Sequence, residues 1–231
     1  MCQVSVVAPV YNEIDNLDAL CEAVYATFAS MPEVSFELII VNDGSTDATR
    51  QTLEEMTERY AGLRPLHLEK NRGQSAALFY GLRQARGAYI LTLDGDMQND
   101  PADFPKVLAL LESYDCVCGY RENRHDSFIR RCSSRVANTV RNWLLQDGIR
   151  DSGCGLKGFR AVCVPHFIPF NGMHRFVAVF MRTAGLSIVE CPVQHHPRTR
   201  GTSKYGLNNR LWRSLYDLVG VAWLRKRYVG Q

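Results

Sequence analysis

An acidic cluster follows an apolar segment near the middle of the chain. The stretch ILTLDGDMQNDP occupies residues 90–101 and carries three aspartates directly after its apolar half. Asp94 and Asp96 are two positions apart, so both can be ionised comfortably only beside a positive charge. Carboxylate and amide oxygens are the ligands that Mg²⁺ and Mn²⁺ prefer. The cluster therefore predicts a divalent-metal site formed by Asp94, Asp96 and Gln98, with Gly95 allowing a tight turn between the acids.

A structural explanation of the same cluster is the alternative. Aspartates often cap the first turn of a helix, and Pro101 suits the first turn of a helix that begins there. Two other apolar segments favour the metal site, because polar residues follow them as well. These residues are Tyr11, Asn12 and Glu13 after the first segment, and Asp43 and Asp47 after the second.

Apolar segments of strand length alternate with segments of helical pattern up to residue 120. The predicted strands are 4–11, 36–43, 63–69, 88–94 and 115–120, and the predicted helices are 16–30, 44–60, 73–87 and one that starts near Pro101. This alternation predicts an α/β fold, with a mostly parallel sheet flanked by helices on both faces. Ligands of such sheets bind at the carboxyl ends of the strands. We therefore expect the polar strand ends to meet in one acidic pocket.

The pattern changes after residue 121. Residues 127–145 are basic with a helical pattern, and the glycine-rich residues 151–160 are predicted to form a loop. A helix end followed by a strand is predicted for 178–197, and a final helix for 205–229.

The composition narrows the classes of function. The chain has 231 residues, 46% of them hydrophobic, and a net charge of +3, which is too small to argue for nucleic acid. Basic residues concentrate in 121–141 and 198–227, where they could serve a phosphate or a lipid headgroup. The eight cysteines form no CxxC pair and are expected to be reduced, buried thiols. Without a signal peptide or about 18–20 consecutive apolar residues, the sequence predicts a soluble cytoplasmic protein.

Phosphate-binding glycine motifs are missing from the sequence. It contains no Walker-type loop, and no GxGxxG follows the first predicted strand. A bound nucleotide would therefore need the metal to neutralise its phosphates. This combination suggests an enzyme that uses a nucleotide sugar.

Several segments resemble family 2 glycosyltransferases, which have the GT-A fold, a Rossmann-like α/β fold. They are VVAPVYNE, IIVNDGSTD, NRGQSAALFYGL, LDGDMQNDP and DSGCGLKGFR. The resemblance is closer to the branch that acts on polyprenyl phosphates, the dolichyl-phosphate mannose synthase-like enzymes, because RTRGTSKYGL at 198–207 is similar to an element of that branch. The resemblance implies a GT-A catalytic domain at 1–207, and the residue pattern predicts a C-terminal amphipathic helix at 208–231.

The resemblance also implies roles for single residues. The nucleotide-sugar pocket would be lined by Pro9, Tyr11, Glu13, Asp43, Gly44, Asp94, Gly95, Arg121, Arg198, Ser203 and Lys204. The metal, Mg²⁺ or Mn²⁺, would be held by Asp94, Asp96 and Gln98, and the catalytic set would be Asp96, Asp151 and Arg131. Arg131 would bind phosphate. Asp151 begins the glycine-rich segment and is predicted to lie nearest the acceptor, where it would orient the acceptor or act as a weak base, unless it only caps its loop. The glycine-rich segment is longer between its glycines than the family pattern, which leaves Gly155 and Lys157 without a secure role.

The implied reaction is the inverting transfer of a sugar from a UDP or GDP donor to a polyprenyl phosphate in cell-envelope glycan synthesis. Transfer to a saccharide or protein hydroxyl is the alternative, and a noncatalytic binding subunit is a third possibility.

The final helix is expected to contact either a membrane surface or protein. It carries a stripe of Trp212, Tyr216, Val219 and Trp223 flanked by basic residues, which suits the interface of a bilayer. The same helix could instead lie on its own domain or on a second subunit in a homo-oligomer. Contact with a membrane surface would imply a peripheral protein at the cytoplasmic face of a membrane.

His195 and His196 are predicted to support a loop at the rim of the site.

Overall fold

The computed structural model describes residues 2–122, 139, 141–197 and 208–227, with the side chains of the last helix described from Leu215 onward. The strands are β1 (Val4–Val10), β2 (Phe36–Asn42), β3 (Leu63–His67), β4 (Tyr89–Thr92), β5 (Cys116–Arg121), β6 (Lys157–Arg160) and β7 (Ile188–Val193). The helices are α1 (Ile14–Ala29), α2 (Thr49–Met56), α3 (Gln74–Gln84), α4 (Phe104–Leu111), α5 (described at residues 141–145), α6 (Val177–Thr183) and α7 (Asn208–Arg227). Short 3₁₀ turns occupy Pro101–Asp103, Ala161–His166 and Met173–Arg175.

The strands form one seven-stranded sheet in the order β3-β2-β1-β4-β6-β5-β7. Every neighbouring pair is parallel except the two pairs made by β6, which runs antiparallel to β4 and β5. The predicted mostly parallel α/β sheet is confirmed. Because β4 and β5 both oppose β6, their carboxyl ends lie at the same edge as the amino end of β6.

β1 and β2 are largely apolar because both of their faces are buried, as expected of strands in the centre of a parallel sheet. Val6 and Leu38 lie in the core shared with α1 and α4, whereas Val7 and Ile39 lie in the core shared with α3 and α6. Alternate residues of a strand face opposite sides, so each strand contributes to both cores.

The prediction of a loop over the whole of 151–160 was wrong. Residues Lys157–Arg160 form β6, which lies in the sheet between β4 and β5. The segment is short and lacks β-branched residues, so its conformation is decided by the two neighbouring strands and not by local propensity. Gly158 is required there because Val107 and Leu111 of α4 pack directly over its backbone.

The cysteines of the described residues are all free of disulfide bonds. Cys116 and Cys118 share one face of β5, with their Sγ atoms 3.9 Å apart in the core. Burial raises the pKa of the Cys21 and Cys163 thiols to about 12, which leaves them unreactive near neutral pH. The described cysteines other than Cys2 are buried, which confirms the prediction for them; Cys132 lies outside the described residues.

A buried ion pair stabilises the amino-terminal edge of the parallel strands. This edge is opposite the carboxyl edge, where Asp43 and Asp94 lie. The Glu37 carboxylate accepts hydrogen bonds from the Ser5 hydroxyl at 2.6 Å, from the backbone N–H of Arg86 at 2.8 Å, and from the Arg64 guanidinium. Burial alone would raise the pKa of Glu37, but these donors outweigh it and hold the pKa below its ordinary value.

We expect Glu37→Ala to lower the free energy of unfolding by about 3 kcal/mol near pH 7, because it leaves Arg64 without its buried partner. The difference from wild type should shrink in acid. The charged carboxylate stabilises the fold above the pKa of an unfolded glutamate, about 4.3, and this contribution is lost as the pH falls through the lower folded pKa. Urea unfolding at several pH values measures both effects. Asp18→Ala is the control, since it breaks an exposed pair with Arg59; an equal loss in both variants would contradict the role of burial.

Candidate active site

Hydrogen bonds join the loops that follow β1 and β2. The backbone N–H of Asn12 donates to the Ser45 hydroxyl at 2.8 Å, and the Asn12 side-chain oxygen accepts from the backbone N–H of Thr46 at 2.7 Å. The backbone N–H of Asp43 donates to the carbonyl of Val10 at 2.9 Å. The structure therefore brings the first two polar strand ends together, as the sequence predicted.

The loop after β4 lies against the end of β1. At Gly95, an added Cβ would collide with the Val10 side chain and would lie 3.2 Å from the carbonyl oxygen of Pro9. The third polar strand end is thereby held beside the first. Pro9, Tyr11 and Glu13 are all half-buried at this edge.

Glu13 and Asp43 both contact the chain itself. The Glu13 carboxylate accepts from the Asn16 amide at 2.6 Å. The two Asp43 oxygens accept from the backbone N–H groups of Arg72 and Gly73, each at 2.8 Å, and burial raises the Asp43 pKa despite these donors. A carboxylate has about four lone-pair sites, so two backbone donors leave Asp43 with sites for a nucleoside.

Gly44 is required by a close approach of two loops. Its φ is +65°, and an added Cβ would overlap the backbone of Lys70 and Asn71. The resemblance placed Gly44 in the lining of the nucleotide-sugar pocket; the close approach that the structure shows is to the chain's own β3–α3 loop.

Asp94 lies in a confined position two residues after β4. Its Oδ1 accepts a hydrogen bond from the Gln74 amide of α3 at 2.7 Å. On its other side is Gly155, whose added Cβ would lie within the Asp94 carboxylate. Burial and the neighbouring Asp96 raise the pKa of Asp94 to about 6, although Lys157 and Arg121 act in the opposite direction. Burial and the Asp96 charge therefore both favour the neutral form of Asp94, and a positive charge bound nearby would favour its ionised form.

Asp96 and Gln98 lie on either side of a strained residue. Met97 has a φ of +60°, and the Asp96 Oδ1 accepts from the backbone N–H of Gln98 at 3.2 Å. Asp96 and Gln98 are half-buried. The turn that carries the two aspartates follows β4 and so lies at the carboxyl edge of the parallel strands.

Residues that follow β7 support this turn. The backbone N–H of His196 donates to the carbonyl of Gln98 at 2.8 Å, and the His196 ring contacts the Asp100 carboxylate at 3.0 Å. The backbone N–H of Gln194 donates to Asp103 at 2.6 Å. The structure thus supports the prediction that His196 holds a loop, and Asp100 both caps the following 3₁₀ turn and binds His196.

Arg121 and Asp151 form a bidentate ion pair at the end of β5. The Arg121 Nε and Nη2 atoms lie 2.6 and 2.8 Å from the two Asp151 oxygens. The Asp151 side chain is 8% exposed and that of Arg121 is 17% exposed. The pair lies close enough to the turn that carries Asp94 and Asp96 for the Arg121 charge to lower the pKa of Asp94.

The sequence model of the family described as Glycosyl transferase family 2 matches residues 5–162, more than half of the chain. The chain belongs to glycosyltransferase family 2. It is 38% identical over 230 residues to a dodecaprenyl-phosphate galacturonate synthase of Rhizobium johnstonii, covering 97% of this chain and 68% of the relative. An undecaprenyl-phosphate 4-deoxy-4-formamido-L-arabinose transferase of Edwardsiella ictaluri is 35% identical over 219 residues, covering 94% of this chain and 66% of the relative. The chain spans about two thirds of the length of both relatives.

Solved structures of two synthases share the fold of this chain. Glucosyl-3-phosphoglycerate synthase from Mycobacterium tuberculosis, in complex with Mn²⁺, UDP and glucosyl-3-phosphoglycerate, aligns with a TM-score of 0.69 at 19% identity over 97% of this chain and 80% of that one. Mannosyl-3-phosphoglycerate synthase from Rubrobacter xylanophilus aligns with a TM-score of 0.70 at 17% identity over 98% of this chain and 75% of that one. The predicted GT-A fold is confirmed.

Some predicted site residues of the transferase cannot be placed. Arg131, Arg198, Ser203 and Lys204 lie outside the described residues. Within the described part of the chain, no three His, Cys, Asp or Glu side chains gather closely enough to hold a metal ion by themselves.

Three residues at the site had no secure role in the sequence analysis. Gln74 binds Asp94, Gly155 leaves room for Asp94, and the buried Lys157 donates from Nζ to the carbonyl of Cys154 while its charge lowers the Asp94 pKa. The position of Gln74 at the first turn after β3 could have indicated this edge of the sheet. Lys157 could not have been found from sequence, because its strand was not predicted.

We expect Gln74→Met to raise the metal concentration that half-activates the transferase by about tenfold to a hundredfold, because Asp94 loses the donor that orients it. Gln84→Met, at the other end of α3, is the control for loss of an amide on the same helix. Activity is measured against Mn²⁺ concentration at saturating donor. Equal activation constants for Gln74→Met and wild type would contradict the orienting role.

Proposed function

We propose that this transferase moves a sugar from a UDP or GDP donor to a polyprenyl phosphate. The observation that carries the donor half is the pair of aspartates, Asp94 and Asp96, beside the Arg121–Asp151 pair at the carboxyl edge of the sheet. The names of the relatives from Rhizobium johnstonii and Edwardsiella ictaluri support the acceptor half, since both name a polyprenyl phosphate. Those names also favour a uronic acid or a modified amino sugar as the transferred group.

The residues present fit a divalent cation. Asp94 and Asp96 supply two hard oxygen ligands. Burial and the Asp96 charge raise the pKa of Asp94, and a bound cation would oppose both effects. Two carboxylates suit Mg²⁺ or Mn²⁺ when the other ligands are diphosphate oxygens and water. Gln98 is proposed as an additional ligand from the same turn. When bound, the metal would stabilise the negative charge that develops on the leaving diphosphate.

The chain's residues perform three tasks in this proposal. The loops after β1 and β2, with Tyr11, Glu13 and Asp43, hold the nucleoside. Gln74 and Gly155 hold Asp94 in its orientation. Arg121 pairs with diphosphate oxygens, as a planar guanidinium does well. Arg131, Arg198, Ser203 and Lys204 are proposed to complete the phosphate site.

The acceptor needs little help from a general base. A phosphate monoester has a second pKa near 6, so it is largely a dianion at neutral pH and already nucleophilic. One of its oxygens attacks the anomeric carbon while the bond from that carbon to the diphosphate oxygen breaks. A single displacement of this kind inverts the configuration of the sugar, as the resemblance to the family implies.

The test is a panel of UDP and GDP sugars assayed with Mn²⁺ and undecaprenyl phosphate in detergent. The expected result is a sugar-linked lipid and one equivalent of free UDP or GDP, both dependent on the lipid and abolished by EDTA. Transfer to a soluble saccharide or protein hydroxyl in place of the lipid would overturn the acceptor. Donor binding without any nucleotide release would indicate a binding subunit.

We also propose that α7 contacts a membrane surface. Among the described residues, no helix is long and apolar enough to cross a bilayer. Leu218 and Val221 of α7 are buried against the domain, whereas Tyr216, Val219 and Trp223 are 83%, 60% and 61% exposed. Three basic residues follow in the last turn of this helix. Exposed aromatic residues beside basic ones favour an anionic bilayer interface, consistent with a peripheral position at the cytoplasmic face.

Flotation with vesicles of anionic lipid tests this contact. Because the buried side of α7 is part of the core, substitutions at exposed positions are preferable to truncation. We expect the Tyr216→Ser, Trp223→Ser double variant to lose most of its binding to vesicles, and Tyr114→Ser, at another exposed tyrosine, to keep it. If the double variant floats as the wild type does, α7 does not form the membrane contact. If the double variant instead dissociates from a dimer to a monomer, α7 forms a subunit interface.

A further inference from the structure

Asp151 is bound in a way that does not suit a residue nearest the acceptor. Both of its oxygens accept from the Arg121 guanidinium, and Oδ2 also lies 3.3 Å from the Arg121 backbone N–H. Such a two-point contact fixes the plane of the guanidinium as well as its position. Because the Asp151 side chain is 8% exposed, the pair is largely shielded from water.

The loop that precedes β6 begins at Asp151 and connects this ion pair to the turn that carries Asp94 and Asp96. Gly153 lies alongside the pair, with an ideal Cβ 3.5 Å from Arg121 Nη2, and two residues later Gly155 lies against Asp94. The Gly155 carbonyl accepts from the Thr92 hydroxyl at 2.7 Å, which fastens the loop to the end of β4. The loop thus sets the separation between Arg121 and Asp94, both of which are proposed to act at the same diphosphate.

We propose that Asp151 is a positioning residue, which holds Arg121 toward the leaving diphosphate and does not act on the acceptor. This inference rests on the proposed function. A phosphate acceptor does not require deprotonation by an aspartate, whereas a flexible arginine needs a partner to stay in one orientation. The pair links β5 to the loop that precedes β6, so Asp151 acts through Arg121.

A double-mutant cycle tests the proposal, using Arg121→Ala, Asp151→Ala and the combined variant. The readouts are the affinity for UDP and for GDP with Mn²⁺, measured by calorimetry, and separate KM values for donor and acceptor. Arg121→Ala should weaken diphosphate binding by about tenfold to a hundredfold, as loss of charged hydrogen bonds does. Asp151→Ala should weaken it by a smaller factor, and the combined variant should bind like Arg121→Ala alone. Acceptor KM should stay unchanged in Asp151→Ala, and Asp151→Glu should recover part of the affinity.

Arg64→Ala is the matched control. It breaks a second buried arginine–carboxylate pair at the opposite edge of the sheet, so it should lower thermal stability and leave diphosphate affinity unchanged. If the effects of Arg121→Ala and Asp151→Ala multiply, or if Asp151→Ala raises acceptor KM with unchanged diphosphate affinity, the positioning role is wrong and the proposed function stands. If the wild type binds neither diphosphate with Mn²⁺, both proposals fail together.

Discussion

The Asp96→Asn variant is expected to keep about one thousandth of the wild-type kcat/KM. The substitution preserves shape but removes one of the two carboxylate charges at the end of β4. Lewis-acid stabilisation of a leaving diphosphate is worth several kcal/mol, which corresponds to about a thousandfold in rate. The Asp94 pKa should also fall, because Asp96 is one of the causes that raise it. Initial rates across Mn²⁺ concentrations measure the first effect, and NMR titration of the Asp94 carboxyl without metal measures the second.

Asp100→Asn is the matched control, since it makes the same chemical change four residues away. Asp100 caps a 3₁₀ turn and pairs with His196, so its loss should lower thermal stability slightly and reduce activity by less than about fivefold. Equal losses of activity in the two variants would mean that the turn needs its acids for structure alone.

The Gly155→Ala variant should lose about a hundredfold in affinity for Mn²⁺ in the presence of UDP or GDP. The added methyl group would occupy the space of the Asp94 carboxylate, and Asp94 can move only by giving up its hydrogen bond from Gln74. Displacing an orienting contact of a metal ligand costs affinity on this scale. Overpacking should also lower the free energy of unfolding by about 1–3 kcal/mol. Calorimetry and thermal unfolding measure the two effects.

Gly153→Ala provides the comparison within the same loop. An added Cβ there meets its nearest neighbours at 3.5 and 3.7 Å, which is ordinary contact. This variant should bind metal and nucleotide like the wild type. Weak binding in both variants would show that the loop tolerates no side chain at all, and wild-type binding in Gly155→Ala would show that Asp94 can move freely.

The parts of the fold that repeat a simple pattern could be predicted from sequence. β1, β2, β4 and β5 are apolar segments bounded by polar turns, and the parallel sheet follows from their alternation with helices. The strand Lys157–Arg160 could not be predicted, since only its neighbours β4 and β5 make it a strand. Helix ends were also misplaced, because α3 ends at Gln84 and not at Gly87 once Ala85 takes an extended conformation.

The candidate site, like the fold, has residues that could be predicted from the sequence and residues that could not. Residues at strand ends, such as Asp94 and Asp43, could be predicted because a parallel sheet brings its carboxyl ends to one edge. Residues that act on other site residues could not, because their partners are distant in sequence. Gln74 and Asp94 are twenty positions apart, and Arg121 and Asp151 are thirty apart. The place of Asp151 at the glycine-rich segment predicted a position near the acceptor, whereas its contact with Arg121 is visible only in the fold.

The most direct test of the account is to locate Mn²⁺ by anomalous X-ray scattering in crystals grown with UDP or GDP. The account predicts one manganese peak bonded to the Asp94 and Asp96 carboxylates and to the diphosphate, with the Arg121 guanidinium on the other side of that diphosphate. A nucleotide bound elsewhere, or bound at this edge with its diphosphate away from both aspartates and no manganese peak, would contradict it.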